Sequence, residues 1–108
     1  MKQNHPILVA TDLSARTDRA VDRATMLASE ASVHLIVCHV VESGSRLAGN
    51  AALANAAVEA VLPETEADIE ILIMEGSAPS VILEQAKQND CGLIISKRGL
   101  RAALRSAH

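Results

Sequence analysis

Four histidines, His5, His34, His39 and His108, are scattered through the chain without the spacing of a metal site, so no metal of the protein's own is expected. His34 and His39 stand an odd number of residues apart in one strand-like run and point to opposite faces, as packed or rim histidines do. Cys38 and Cys91 lack Cys-x-x-Cys spacing. Cys38 lies inside an apolar run, where a reduced thiol behaves as a small hydrophobe, and no structural disulfide is expected. The sequence contains no GxxxxGK[ST], no GxGxxG and no GxSxG, which removes the common phosphate loops and the serine-hydrolase elbow. A phosphoacceptor receiver domain needs an acidic pair after its first strand and an Asp after its third. Here Thr11 precedes Asp12, and the third run ends Met74, Glu75, Gly76. Asp12 stands at the end of the first apolar run.

The elements that must position it are legible as alternating periods. Residues 7–10, 33–41, 69–74 and 93–96 are short β-branched runs and read as strands. The first and last are continuously apolar, which suits central parallel strands covered on both faces. The third alternates Ile69, Ile71 and Ile73 with Glu70 and Leu72, which suits an outer strand. Between the first two runs, Ala20, Ala24, Leu27, Ala28 and Ala31 form one helical face opposite Asp18, Arg19, Asp22 and Arg23, with Ser14 or Thr17 as the cap. Residues 46–62 carry Leu47, Ala51, Ala54, Val58 and Val61 on a second stripe, weakened by Gly49, Asn50 and Asn55. A third helix starts at Ser77 with Pro79 in its first turn and turns Ile82 and Ala86 to the sheet.

Strand and helix alternating over 1–108 predict a single α/β domain with a parallel sheet and no internal repeat. Ligands of such sheets bind at the carboxyl ends of the strands, so the functional candidates are residues 10–14, 40–44, 74–77 and 96–99.

Composition narrows the partners. The chain has no Phe, Tyr or Trp, so it has no aromatic platform for stacking single-stranded bases; a nucleic-acid partner is not expected, and an adenine ring would lie between aliphatic side chains. All 13 Asp and Glu fall within residues 1–96, while Lys97, Arg98, Arg101 and Arg105 crowd the last twelve. Such a basic end meets phosphate or lies on the acidic body. No apolar run approaches the length of a membrane span, and the start of the chain is too short an apolar run for a signal peptide. A cytoplasmic protein with no membrane partner is expected.

The segment ILVATDLSARTDRAVDRATMLASEASVHLIVCHVVE resembles the opening of a universal stress protein, where strand one ends in Thr-Asp-x-Ser and strand two in His-Val. MEGSAPSVILEQAKQNDCGLIISKRG is similar to that family's third strand, third helix and fourth strand. The resemblance implies a Rossmann-like parallel sheet of four strands in the order 3-2-1-4, flanked by helices. It also implies that Ala10, Thr11 and Asp12 contact an adenine nucleotide (ATP or AMP) and that Val40 packs on the adenine. The family's G-x2-G-x9-G-[S/T] signature then wraps ribose and phosphates. In this chain Ser96 replaces its first glycine, Gly99 keeps the second, and the final pair would fall beyond His108.

By this resemblance the chain is a C-terminally truncated or degenerate member whose cofactor-binding positions are Ala10, Thr11, Asp12, Val40, Ser96, Arg98 and Gly99. A Cβ at Ser96 costs on the order of 1 kcal/mol if the backbone must take positive φ, and loss of the last pair removes amides that would hold phosphate. Arg98, Arg101 and Lys97 could replace some of that charge. ATP is therefore expected to bind weakly, if at all, in a stress-response domain.

Two other readings stand beside it. One is a nucleotide-independent interaction module that works by oligomerising; the other is a weak ATP hydrolase, for which no general base stands near Asp12. A purely structural role for Asp12, in an Asx-turn or helix cap, is equally open, and Gly76 reads as a strand-to-helix turn. The family's fifth strand is missing, which leaves strand four unpaired on one side. Residues 100–108, apolar at helical spacing, or a second molecule in a dimer should cover it.

Overall fold

The computed structural model describes residues 5–41, 44, 49–96 and 99–102. The elements run β1 (Ile7–Thr11), α1 (Ala15–Ala31), β2 (Leu35–Val41), α2 (Ala51–Glu59), β3 (Ile69–Glu75), α3 (Ala78–Gln88), β4 (Leu93–Ser96) and β5 (Gly99–Ala102). The four parallel strands stand in the order β3-β2-β1-β4, flanked by three helices in a Rossmann-like α/β fold. Register is set by the apolar runs: Ile7, Leu8 and Val9 sit beside Leu35, Ile36 and Val37 on one side and Leu93, Ile94 and Ile95 on the other.

Each face of this sheet has its own core. Ile7, Val9, Leu35, Val37 and Ile95 meet Val21, Ala24 and Ala28 of α1 and Val58 of α2. Leu8, Ile36, Cys38 and Ile94 meet Ala86 of α3 on the other face, with Ile82 packed beside them. A strand covered on both faces must be apolar at every position, and Leu8 and Val9 are fully buried. Burial of each such side chain contributes roughly 1.5–3 kcal/mol. As expected of an outer strand, β3 buries its alternating isoleucines only partly and exposes Glu70 and Glu75.

Helix starts and stops follow local chemistry. Ser14 is the N-cap of α1 and its side chain accepts from Thr17 N–H; Ser32 ends the helix in the left-handed region. Ser77 caps α3 in extended conformation without a side-chain bond, and Pro79 occupies the first turn. Gly76 has φ 139°, and a Cβ there would come within 3.2 Å of Val81 Cγ2, so the strand-to-helix turn calls for glycine.

Four expectations are corrected. The buried face of α1 is Thr17, Val21, Ala24, Thr25 and Ala28, while Ala31 is exposed. Ala20, Ala24, Leu27 and Ala28 of the expected stripe pack on the core, and Thr17, Val21 and Thr25 join them; Thr25 donates its hydroxyl to Val21 O at 2.7 Å and so buries without an unpaired polar group. Helix α2 is shorter than residues 46–62, starting after Asn50, whose side chain accepts from Leu53 N–H; Leu47 lies outside the described residues. Strand β2 starts at Leu35, two residues later than expected.

The largest correction concerns the edge. Strand β4 is not left unpaired on one side, because residues 99–102 fold back as antiparallel β5, with Ser96 beside Gly99 and Ile94 beside Arg101. Residues 100–102 are thus strand rather than helix. The physical reason is the one that demanded a cover: unpaired N–H and C=O groups are satisfied by the nearest backbone, and Gly99, at φ 119°, permits the turn. Residues 97, 98 and 103–108 lie outside the described residues.

Candidate functional site

The chain winds from β1 to β2 to β3 in one direction and then returns to the opposite side of β1 as β4. The carboxyl end of β1 is therefore the switch point of the sheet, the place where ligands of such sheets generally bind.

A hydrogen-bonded turn is built there from short polar side chains. Asp12 Oδ1 accepts from Ser14 N–H at 2.9 Å and from the Thr17 hydroxyl at 2.8 Å. Thr11 Oγ1 accepts from Leu13 N–H at 3.0 Å, which holds Leu13 at φ 67°. Thr17 Oγ1 lies 3.2 Å from Thr11 Oγ1 and also accepts from Asp12 N–H. Thr17 is buried and Asp12 exposed, so a buried hydroxyl hub fixes an exposed carboxylate at the end of β1. On the next strand, buried His39 donates Nδ1–H to Thr11 O at 2.8 Å. That bond ties the carboxyl ends of β1 and β2 together and assigns the tautomer. One turn into α1, Asp18 Oδ1 is buried without a hydrogen-bond partner among the described residues; the positive end of the helix favours its charge.

The residues singled out from the sequence divide by face. Ala10, Val40 and Ser96, all half-buried, lie by strand alternation on the α3 face with Cys38 and Ile94, and Val40 packs against that face's core. Thr11 lies on the α1 face beside His39, its carbonyl engaged by that imidazole. Asp12 stands between the faces, at the end of the sheet. Its Asx-turn is made, so the structural role foreseen for Asp12 is real; the same bonds also aim the carboxylate. Gly99 is exposed and pairs with Ser96 in the β4–β5 ladder, one strand further from β1 than Ser96, and Arg98 lies outside the described residues.

Sequence reasoning missed Thr17 as the hub and His39 as the tie. The first was visible only as a possible helix cap, and the second had no signal short of the strand register.

Shallow clefts lie elsewhere among the described residues. One, about 400 Å³, lies between the outer side of α1 (Asp22, Met26, Glu30) and the loop at Pro63 and Glu64, remote from the strand ends. Another, about 260 Å³, is at the carboxyl ends of β2 and β3, walled by Val41, Ile73 and Met74 and closed by Glu75, which accepts from Gly49 N–H at 3.1 Å. Size favours the first, but the convergence of strand ends, backbone groups and a held carboxylate favours the β1 end and its neighbour. Among the described residues no three His, Cys, Asp or Glu side chains are grouped to hold a metal ion, and no helix is long and apolar enough to cross a membrane.

Comparison with protein families matches residues 3–106 to the universal stress protein family. Among solved structures, the chain is similar to a universal stress protein in complex with cAMP, at 27% identity and TM-score 0.64, over 86% of this chain and 72% of that one. It is similar in fold to the universal stress protein UspA of Lactobacillus plantarum (22% identity, TM-score 0.72, 89% of this chain and 78% of that one). A protein of that family from Burkholderia pseudomallei is likewise similar in fold (22% identity, TM-score 0.63, 85% and 80%). Comparison with curated proteins found no match.

Proposed function

This chain belongs to the universal stress protein family, and from that premise we propose that it is a stress-response domain that takes an adenine nucleotide at the carboxyl ends of β1, β2 and β4. The observation that carries the reading is the Asp12 carboxylate, held by Ser14 N–H and the Thr17 hydroxyl at the switch point of the sheet. A carboxylate so placed accepts hydrogen bonds from ribose hydroxyls, while Ala10 and Val40 offer an aliphatic surface to the adenine. The structure in complex with cAMP, a similar protein, supports the class of ligand.

Recognition is weighted toward base and ribose. Ser96 adds a side chain where the family signature has glycine, and Gly99 is engaged in the pairing of β4 with β5. Few preorganised amides are then left for phosphates, and the sequence offers the charges of Lys97 and Arg98 instead. The phosphate-binding motif is accordingly impaired, and a nucleotide with one phosphate loses less than ATP. Calorimetry with AMP, cAMP and ATP tests this: weak binding with little preference for ATP is expected. Submicromolar ATP affinity would overturn the impaired motif, and absence of binding to all three would overturn the site.

Self-association and a cytoplasmic location belong to the same proposal. With β4 paired, the sheet edges left for a second copy are β3, guarded by exposed Glu70 and Glu75, and four-residue β5. Light scattering that finds only monomer would remove the oligomer, and steady phosphate release from ATP would turn the domain into a hydrolase.

A further inference from the structure

At the amino ends of the strands, opposite the site, His34 immediately precedes β2. Its Nδ1 lies 3.0 Å from Asp68 Oδ2 and its Nε2 3.0 Å from Glu70 Oε1. A neutral imidazole has one N–H and one lone pair, so only the imidazolium can donate to both carboxylates at once. Neutral His34 would set a lone pair against an anion at one of the two contacts, and that contact must open. Asp68 and Glu70 bracket the start of β3, an outer strand paired with β2 alone. The adjoining backbone rung is Leu35 N–H to Asp68 O at 2.8 Å.

Other charges belong to the elements around this end of the sheet. Glu30 is at the end of α1, Glu64 and Glu66 lie in the loop before β3, and Lys87 is at the end of α3. His5 and Asp90, 3.1 Å apart, pair with each other. Among the described residues, only Asp68 and Glu70 lie within ion-pair distance of His34.

We propose that His34 is a pH-operated clasp on the outer strand: charged, it ties the start of β2 to the entry of β3, and neutral, it lets that entry loosen. The hydrogen bond to Glu70, aided by Asp68, holds the imidazole above its ordinary 6.5, against a smaller opposing effect of burial. A group with a raised pKa stabilises the fold fully below its unfolded value and loses that contribution as pH rises through the folded value. The clasp is therefore closed from the carboxylate range, near about 4, up to 6.5, and opens above it. Loosening is local, since α1, β1 and β4 do not depend on β3 for their pairing.

The test follows the His34 imidazole by proton NMR in the whole chain. Alongside it, amide exchange at residues 35 and 69–71 is normalised to β1, which cancels the intrinsic pH dependence of exchange. The expected result is an imidazole midpoint above 6.5 and a fall in normalised protection of about two- to fivefold between pH 6 and 8, the size of a good exposed ion pair. His34→Gln should abolish the fall, and Glu70→Gln should lower the midpoint and shrink it. A midpoint at or below 6.5, an absent fall, or a fall that persists in His34→Gln overturns the clasp. Should His34→Gln not fold, the wild-type titration and Glu70→Gln decide.

Discussion

The two ends of the sheet are held by different chemistry. At the carboxyl end, hydroxyls, amides and one carboxylate make a network around a buried Thr17 hub, with the His39 imidazole bonded to Thr11 O beside it. At the amino end, imidazoles meet carboxylates: His34 with Asp68 and Glu70, and His5 with Asp90. The first arrangement fixes the Asp12 carboxylate at the end of the sheet. The second places His34 where, on the clasp proposed above, a loosened strand entry is separated from the carboxyl end by the central apolar strands.

The shared core sets the baseline for every comparison of the two ends. Burial pushes both thiols up to about 11, with Asp90 adding to the effect at Cys91. Native labelling by thiol reagents should be at least roughly a hundredfold slower than in urea, because both thiolate and access are scarce. Fast labelling of Cys91 alone would mean that the amino end opens more than a clasp allows.

Thr17→Val should have the next largest effect. It removes the hydroxyl that donates to Asp12 Oδ1 and accepts from Asp12 N–H and should cost about 1–3 kcal/mol in urea unfolding, equally at pH 6 and 8. A pH-dependent cost would break the contrast between the ends. Asp12→Asn keeps an acceptor for Ser14 N–H but loses the charge, so stability should change by less than about 1 kcal/mol while nucleotide affinity falls roughly tenfold. Unchanged affinity would leave the network purely structural. The smallest effect belongs to His34→Gln, which should cost up to about 1 kcal/mol at pH 6 and nothing measurable once pH exceeds the raised imidazole value. Equal cost at both pH values would make His34 an ordinary packing residue.

Much of this arrangement is written in short-range pattern. Continuous apolar runs at β1 and β4 announce central strands, alternation announces β3 as an outer one, and Ser14, Ser77 and Pro79 mark helix starts that the structure keeps. These signals are legible because each depends on a residue and its near neighbours. Alanine periodicity finds most of the α1 stripe but not the threonines beside it, which satisfy their hydroxyls within the helix, as Thr25 does on Val21 O.

By itself the sequence determined the alternation of strands and helices, the parallel order read through family resemblance, and the presence of an acidic turn after strand one. Tertiary structure alone decided that Thr17 would carry that turn, that His39 would reach Thr11 O across 28 residues, and that His34 would find two carboxylates 34 and 36 residues away. It also decided that residues 99–102 would pair with β4 instead of forming a helix. The contacts of His39 and His34 depend on strand register, and register is a property of two segments packed against a common core, which no local run of residues contains.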